Sequence, residues 1–231
     1  MSRGLVRQFY WNGLRVPFIA SWSSEKVPNH RIVLRRGKGG EGIGYADEDG
    51  CLDRRNDVLW TRMPATRGLG HPKLALVHPL RQRQAMTRLL CQVCGLTTFG
   101  RSDERHLFLV RGDEGQPIRE GEKTSSPPVH EACAYEAART CPHLLKGWTA
   151  ALVKYTPAWG VAGIVHDPRT LEPIPGPMGP DGNPQLEYVA YDDLRIRWTC
   201  AVREVVQLLG CEVVDLNDLA PPTAKQTSTS V

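Results

Sequence analysis

The chain has 231 residues, of which 41% are hydrophobic and 23% charged. This length and composition suit one large or two small globular domains with a buried core. No apolar run approaches the roughly 18 residues that a membrane helix requires, and the first residues lack the hydrophobic segment of a secretory signal. These features exclude a helical membrane protein and predict a cytoplasmic one with no membrane partner.

The seven cysteines favour metal binding over a disulfide framework. Their number is odd, and four of them stand singly: Cys51, Cys141, Cys200 and Cys211. In a reducing compartment, a Cys-x2-Cys pair such as Cys91 and Cys94 is typical of a metal site or a redox site.

The charge is unevenly distributed along the chain. Residues 1–90 carry 16 Lys and Arg against 7 Asp and Glu, a balance of +9, and residues 91–231 carry 13 against 18, a balance of −5. Such asymmetry is typical of a half that faces nucleic acid and a half that faces protein. A solvated surface with no partner gives the same pattern.

Residues 1–76 are predicted to form a basic, strand-rich region. The predicted strands cover residues 8–11, 16–21, 31–34 and 58–61. The glycine-rich stretch 35–45 lacks both the Lys-Ser/Thr pair and the following helix of a phosphate-binding P-loop, so we expect a basic hairpin loop instead. As an exposed cationic loop, its Arg35, Arg36 and Lys38 are candidates for contact with a nucleic-acid backbone.

Residues 77–149 contain a predicted helix followed by a metal motif. The helix covers residues 79–90, with Pro79 at the first helical position that proline favours. Arg81, Gln84 and Arg88 share one side of this helix, which is either a solvated face or a face that contacts phosphate. Arg81, Arg83 and Arg88 are the second set of candidates for nucleic-acid contact.

The metal motif pairs Cys91-x2-Cys94-Gly95 with His130-x2-Cys133, which follows Pro127-Pro128. Zinc prefers four nitrogen or sulfur ligands in a tetrahedron. A Cys-x2-Cys-Gly turn directs two thiolates at one ion, and positions i and i+3 in the first turn of a helix share one face. We therefore predict one structural zinc ion with four protein ligands: Cys91, Cys94, His130 and Cys133.

The position of His130 has two alternatives as the fourth ligand, Cys141 and His143. Cys141 follows Cys133 by eight residues, about 12 Å along a continuous helix, which disfavours it. A knuckle, a strand over residues 106–111 as half of a hairpin, and a helix over residues 131–140 are the arrangement of a treble-clef zinc finger. A redox role for Cys91 and Cys94 is the weaker alternative.

Residues 150–216 are predicted to form an α+β region that contains a proline- and glycine-rich loop at residues 167–184. Strands are expected over residues 151–155, 161–165, 187–191 and 211–216. The longest helix is expected over residues 194–209, capped by Asp192 or Asp193 and closed by Gly210, with Cys200 as a buried thiol. Residues 217–231 have the composition of a disordered tail. The predicted fold is α+β, a treble-clef-like zinc finger embedded in a small mixed domain with short antiparallel strands and a long C-terminal helix.

The sequence resembles a group of zinc-binding, treble-clef-like proteins of high-GC Gram-positive bacteria and their phages and mobile elements. The resemblance lies in residues 77–86, in Leu90 to Gly95, in Pro127 to Ala134 and in Cys141-Pro142. Members of the group have cysteine where this chain has His130, which implies a ligand role for that position. The resemblance implies no particular activity.

The sequence is compatible with three functions. The first is a zinc-ordered binding protein that contacts DNA or RNA through its arginines, and the second is a protein–protein adaptor of regulatory or mobile-element type. The third is a treble-clef nuclease, for which His106, preceded by Asp103 and Glu104, is the local candidate. The sequence has no Ser-His-Asp order, G-x-S-x-G elbow or H-E-x-x-H motif, and we expect no enzyme.

Overall fold

The computed structural model describes residues 6–37, 39–110, 117–141, 144, 147–179, 182 and 184–219, apart from the side chain of residue 217. Most of the regular structure in these residues is β-strand. The strands are β1 (Tyr10–Trp11), β2 (Leu14–Arg15), β3 (Ala20–Trp22), β4 (Ile32–Gly37), β5 (Gly40–Tyr45), β6 (Arg54–Arg55), β7 (Val58–Trp60), β8 (Pro72–Val77), β9 (His106–Val110), β10 (Lys123–Thr124), β11 (Thr149–Val153), β12 (Ala158–Val165), β13 (Glu187–Ala190), β14 (Thr199–Gln207) and β15 (Glu212–Val214).

The helices in the described part of the chain are short. They are α1 (Gly50–Asp53), α2 (Pro79–Thr87), α3 (Glu131–Thr140), α4 (Leu216–Leu219) and a 3-10 helix (Leu194–Trp198). The predicted helix over residues 131–140 is confirmed. The helix that was predicted to begin at Pro79 does so but ends at Thr87, because Leu89 has a left-handed backbone with φ +49°. None of these helices has the length and hydropathy of a membrane span.

A six-stranded sheet forms the centre of the fold around β14. The sheet order is β13-β12-β14-β7-β6, and β10 also pairs with β14. Strand β14 runs antiparallel to β12 and β10 and parallel to β7. Helix α2 lies across β14, where the buried side chain of Gln82 hydrogen-bonds the backbone of Glu204. The core of the sheet is therefore covered by the helix that leads into the metal motif.

The long helix predicted over residues 194–209 is wrong. Asp193 caps a 3-10 helix that ends at Trp198, and residues 199–207 form strand β14. Strand β14 is covered on both faces, so apolar residues point to both sides of the sheet. The sequence of such a strand does not alternate between apolar and polar residues. Its β-branched residues also favour an extended backbone. Cys200, predicted as a buried thiol, is 7% exposed.

A three-stranded antiparallel sheet, β15-β11-β9, separates the metal motif from the central sheet. On β9, Leu107 and Leu109 pack with the metal-motif cysteines, whereas Phe108 packs on the opposite side with Met86 and Val206. Strand β9 pairs with β11, which follows α3 in the chain. The hairpin expected between the two ligand pairs is therefore not formed, because the partner of β9 comes from beyond the helix.

The basic glycine-rich stretch forms a hairpin, as predicted, but most of its glycines belong to a strand and not to a loop. Strands β4 and β5 pair in register from Ile32↔Tyr45 to Gly37↔Gly40. Glycine occupies every second position of β5, and the intervening Ile43 and Tyr45 are buried in the core. Lys38, at the turn, lies outside the described residues.

The other predicted segments agree only in part with the observed elements. Of the predicted N-terminal strands, residues 8–11 and 16–21 correspond to the shorter β1, β2 and β3. The proline- and glycine-rich loop is described at residues 167–179, 182 and 184, and it is tied by isolated bridges such as Met178↔Pro184. In the predicted disordered tail, residues up to Leu219 belong to α4, and residues 220–231 lie outside the described residues.

Candidate metal centre

The first ligand pair lies on a tight turn that the backbone closes on itself. The N–H of Gly95 donates to the carbonyl of Cys91 at 2.8 Å, and the N–H of Cys91 donates to the carbonyl of Leu96 at 2.7 Å. Gly95 has φ +76°, and a Cβ at this position would lie 2.7 Å from the ring of Phe18. Both the left-handed backbone and the neighbouring ring therefore require glycine here.

The second pair lies where α3 begins. His130 is the N-cap residue and makes no side-chain capping bond, which leaves its ring available to the site, and Cys133 follows in the first turn. The N–H of Gln92 donates to Pro128 O at 2.9 Å, and the N–H of Val129 donates to Leu107 O at 2.8 Å. These bonds hold the start of α3 against both the knuckle and β9.

The four predicted ligands converge on one point. The sulfur atoms of Cys91, Cys94 and Cys133 and a ring nitrogen of His130 all lie within 4.8 Å of one another. Tetrahedral zinc with bonds of about 2.0–2.3 Å places its ligand atoms roughly 3.3–3.8 Å apart. The three cysteines are buried and His130 is half-buried. A small contraction therefore suffices for this cluster to bind a single metal ion, and its donor set fits zinc.

Hydrogen bonding selects the metal-facing nitrogen of His130. Its Nε2 lies 2.9 Å from the carbonyl oxygen of Thr97, which can only accept a hydrogen bond, so Nε2 carries a proton. Its Nδ1 lies 3.3 Å from Cys94 Sγ. A backbone carbonyl that fixes the tautomer of a histidine in this way is typical of metal-ligating histidines.

Three of the four side chains have shifted pKa values. Hydrogen bonds to Cys133 and Cys91 lower the pKa of Cys94, whereas Cys91 and Cys94 raise the pKa of Cys133. Hydrogen bonds to Cys91 and Cys94 raise the pKa of His130 to about 10. The protonation states of Cys94, Cys133 and His130 therefore depend on one another, and a divalent cation would displace protons from these groups.

An arginine from the N-terminal segment reaches this cluster. Arg15 Nη1 lies 3.5 Å from Cys133 Sγ and 3.4 Å from Glu136 Oε2. Gln8 accepts from Arg15 at 2.9 Å and donates to the carbonyl of Cys94 at 2.9 Å. These contacts place a positive charge beside a sulfur ligand and tie the N-terminal segment to the knuckle.

Arg15 is not among the predicted site residues, although the sequence carries a signal for its placement. Asn12-Gly13 forms the turn between β1 and β2 with φ +48° and +76°, and this dipeptide is a strong hairpin signal. The hairpin reverses the chain direction, which brings Arg15 next to Gln8. Its approach to Cys133, which is 118 residues away, has no counterpart in the local sequence.

The chain has no significant match to a protein-family model, a curated protein or a solved structure.

The structure places one of the two alternative ligands, Cys141, and does not describe the other, His143. Cys141 is the C-cap of α3, at the opposite end of the helix from His130, and does not belong to the ligand cluster. His143 lies outside the described residues. The geometry therefore favours His130 as the fourth ligand.

The structure separates the predicted nucleic-acid residues by exposure. Arg81 is 5% exposed and forms a two-pronged ion pair with the buried Glu25, at 2.7 Å for both bonds. It is therefore removed from any surface that a phosphate could reach. Arg83 lies over the ring of Trp60, 4.4 Å from its centroid, and burial lowers the pKa of its guanidinium.

The other candidates are on the surface. Arg35 and Arg36 are exposed on β4, and Arg88 is exposed just after α2. Arg36 pairs with Glu41 across the hairpin. The exposed members of the predicted set are therefore split between the hairpin and the end of α2.

His106, the candidate nuclease residue, points into the interior. It is 5% exposed, and its Nδ1 lies 2.8 Å from Thr98 Oγ1. Burial lowers its pKa. Asp103, which precedes it, forms an ion pair with Arg101. This arrangement gives His106 a packing role and leaves it without access to a substrate.

Proposed function

We propose that the protein is a zinc-stabilised binding protein, in which one structural zinc ion is held by Cys91, Cys94, His130 and Cys133. The observation that supports this most strongly is the convergence of the four side chains together with the Thr97 carbonyl that turns His130 Nδ1 toward the sulfurs. Three thiolates and one imidazole bind zinc in preference to harder cations such as magnesium or calcium, which prefer oxygen ligands.

Four protein ligands complete a tetrahedron and leave no position for water or substrate, so the zinc would be structural. Its binding would contribute about 10–16 kcal/mol of apparent free energy, which is coupled to folding. The ion would join the knuckle to α3 and thereby order the hydrophobic cluster that contains Val129, Leu107 and Leu152.

We further propose that the centre is a variant of the treble-clef finger. The knuckle and the helix that carries two ligands in its first turn support this assignment. The strand between them, β9, supports it less directly because its partner β11 comes after the helix. The resemblance to treble-clef-like proteins of high-GC Gram-positive bacteria and their mobile elements is part of the same proposal.

The proposed partner is nucleic acid, contacted through exposed arginines. Two observations support this partner: the net charge of +9 in residues 1–90, and the exposure of Arg35, Arg36 and Arg88. Arginine presents a planar fork of donors that fits phosphate oxygens. Such binding would be sequence-tolerant and strongly dependent on salt.

A protein–protein adaptor is the second candidate, and one feature favours it. The β3–β8 register passes from Ala20↔Val77 directly to Ser21↔Lys73, so the intervening residues of β8 bulge away from β3. Leu74 and Leu76 are 41% and 52% exposed there. Two exposed leucines this close in the chain are more typical of protein contacts than of phosphate contacts.

Two measurements test the proposal. Elemental analysis of the purified chain is expected to give one zinc per chain, and a chelator is expected to release it with loss of the folded circular-dichroism signal. Fluorescence anisotropy with short labelled DNA and RNA at rising salt is expected to show affinity that falls linearly on a log–log plot. Absence of zinc would contradict the metal centre, and absence of binding at low salt would leave the adaptor as the better candidate.

A further inference from the structure

One face of β5 is made of glycine. Gly40, Gly42 and Gly44 alternate with Glu41, Ile43 and Tyr45, and alternate residues of a strand lie on the same face. The face with Ile43 and Tyr45 packs into the core. The glycine face carries no side chains of its own and is open to whatever packs against it.

Arg197, from the 3-10 helix before β14, packs on this glycine face at Gly40 and Gly42, whereas Glu48 and Arg35 cover Gly44. A Cβ at Gly42 would lie 2.6 Å from the Arg197 carbonyl oxygen, and a Cβ at Gly40 would lie 2.7 Å from Arg197 Nη1. Gly39 is also close, since its Cβ would lie 3.2 Å from Arg197 Nε. The absence of side chains along this edge therefore lets the guanidinium extend along the strand toward the tip of the hairpin.

A cleft of about 200 Å³ lies between the hairpin and Arg197. Four arginines and several acidic residues line it, and two of the arginines are already paired. Arg54 binds Glu48 through two bonds, at 2.6 and 3.0 Å, and Arg36 pairs with Glu41.

Two cations in the cleft have no acidic partner among the described residues. Arg35 donates only to the carbonyl of Tyr45, at 3.1 Å, and Arg197 forms no ion pair with the described carboxylates. Arg35 pairs across the hairpin with Gly42, the residue against which Arg197 packs. The two arginines therefore lie on the same face of the hairpin, and both line the cleft.

We propose that this cleft binds one phosphate group, held between Arg35 and Arg197. The inference rests on the proposed function and assigns its contact point: a backbone phosphate of a nucleic acid would enter here. The same chemistry would accept a free phosphate or a phosphorylated small molecule. Paired guanidinium groups are suited to this ligand because each offers parallel donors to phosphate oxygens.

The test uses the zinc-loaded full chain and compares Arg197→Ala with Arg195→Ala. Both residues are exposed on the same 3-10 helix and both changes remove one charge, but Arg195 is already paired with Asp193 and Glu187. We expect Arg197→Ala to weaken binding of a short labelled DNA or RNA strand about 10-fold and to reduce the salt slope by about 1. Arg195→Ala is expected to change neither.

A second comparison uses Arg35→Ala and, as its control, Arg31→Ala. Arg31 is an exposed arginine just before β4 that does not line the cleft. Inorganic phosphate is then titrated into 15N-labelled protein while the arginine Nε–H signals are recorded. A shift of the Arg35 signal that vanishes in Arg197→Ala, together with a shift of the Arg197 signal that vanishes in Arg35→Ala but persists in Arg31→Ala, supports the site, and shifts that persist in both cleft variants would overturn it.

The outcomes separate this inference from the proposed function. Phosphate binding at the cleft without nucleic-acid binding would support the site and contradict the nucleic-acid partner, and would indicate a phosphorylated small molecule. Nucleic-acid binding that responds equally to Arg197→Ala and Arg195→Ala would overturn the cleft but leave the partner standing. Loss of strand binding in Arg197→Ala with no response to free phosphate would support a backbone phosphate as the source.

Discussion

The ring of His130 is held in place by Thr97, whose carbonyl oxygen accepts a hydrogen bond from Nε2 at 2.9 Å. Thr97 in turn closes the knuckle through its bridge with Leu90. The residues that shape the first ligand pair therefore also orient His130. As a consequence, the knuckle and the start of α3 are expected to become ordered together when metal binds.

Replacing His130 tests its role as the fourth ligand. We expect His130→Cys to retain one zinc per chain, because a thiolate is an equally good zinc ligand. We expect His130→Ala to lose tight binding and, with it, much of the folding free energy that the metal contributes. Zinc content and the visible spectrum of the cobalt-substituted protein distinguish three sulfurs plus nitrogen from four sulfurs.

Cys141→Ala serves as the control for the alternative ligand. It is expected to leave zinc content and the cobalt spectrum unchanged, since Cys141 caps the far end of α3. Loss of zinc in Cys141→Ala but not in His130→Ala would reverse the ligand assignment.

Arg15 is expected to strengthen metal binding without touching the ion. Burial opposes its charge, but the nearby thiolate of Cys133 and the carboxylate of Glu136 raise its pKa, which keeps it charged beside the sulfur. Arg15→Ala should weaken zinc affinity by about 10- to 100-fold, as is common for groups that hydrogen-bond a ligand. Competition with a chromophoric chelator measures this change. Arg169→Ala, at an exposed arginine far along the chain, controls for the loss of charge, and equal affinities in the two variants would rule out the proposed role.

The parts of the fold that were predicted correctly depend on short-range chemistry. Proline at the first position of α2, the Cys-x2-Cys-Gly knuckle and the His-x2-Cys start of α3 all act within one turn of backbone. Their residue spacing alone restricts the geometry, so the four ligands could be named before their convergence was known.

The parts that were wrong depend on partners distant in the chain. The spacing of apolar residues 198, 201, 202, 205 and 208 satisfies a helix, and it equally satisfies a strand buried on both faces. Pairing of β14 with β12 and β7 decides between the two. In the same way, Arg81 has the spacing of a surface residue, and only the approach of Glu25 from 56 positions earlier explains its burial.

The buried pair of Glu25 and Arg81 predicts a loss of stability in acid. Burial alone would raise the pKa of Glu25, but the hydrogen bonds and charge of Arg81 outweigh it and lower the pKa below the ordinary 4.5. The stabilisation is therefore present above about pH 4.5 and is lost as the pH falls through the lower, folded-state pKa. Burial also lowers the pKa of His78 below its ordinary 6.5, so the unfolded chain takes up a proton first and stability declines further as the pH falls below 6.5.

Glu25→Gln should therefore destabilise the protein by roughly 3–5 kcal/mol at neutral pH, because it leaves Arg81 buried without a counter-charge. It should also flatten the dependence of unfolding free energy on pH below about 5. Glu41→Gln is the matched control, since Glu41 pairs with the exposed Arg36 and such surface pairs contribute about 0–1 kcal/mol. Urea unfolding at several pH values with zinc in excess makes the comparison. Equal effects of the two substitutions would show that the buried pair is not a stabilising contact.

Gln82 is predicted to be a major stabilising contact between α2 and the central sheet. Its amide is fully buried, and Nε2 donates to Glu204 O at 2.9 Å and to Ser125 O at 2.8 Å, while Oε1 accepts from the N–H of Glu204 at 2.9 Å. Gln82→Ala would leave these backbone groups buried without partners. We expect a loss of about 2–5 kcal/mol in unfolding free energy and faster hydrogen exchange at the Glu204 amide.

Gln84→Ala provides the control on the same helix. Gln84 is half-buried and makes no side-chain hydrogen bond in the described part of the structure, so its loss should cost within about 0.5 kcal/mol. Because both variants keep the four metal ligands, zinc content should remain at one per chain, and any difference reports on the helix–sheet contact alone. If exchange at Glu204 is as slow in Gln82→Ala as in Gln84→Ala, the amide of Gln82 does not protect the backbone of β14.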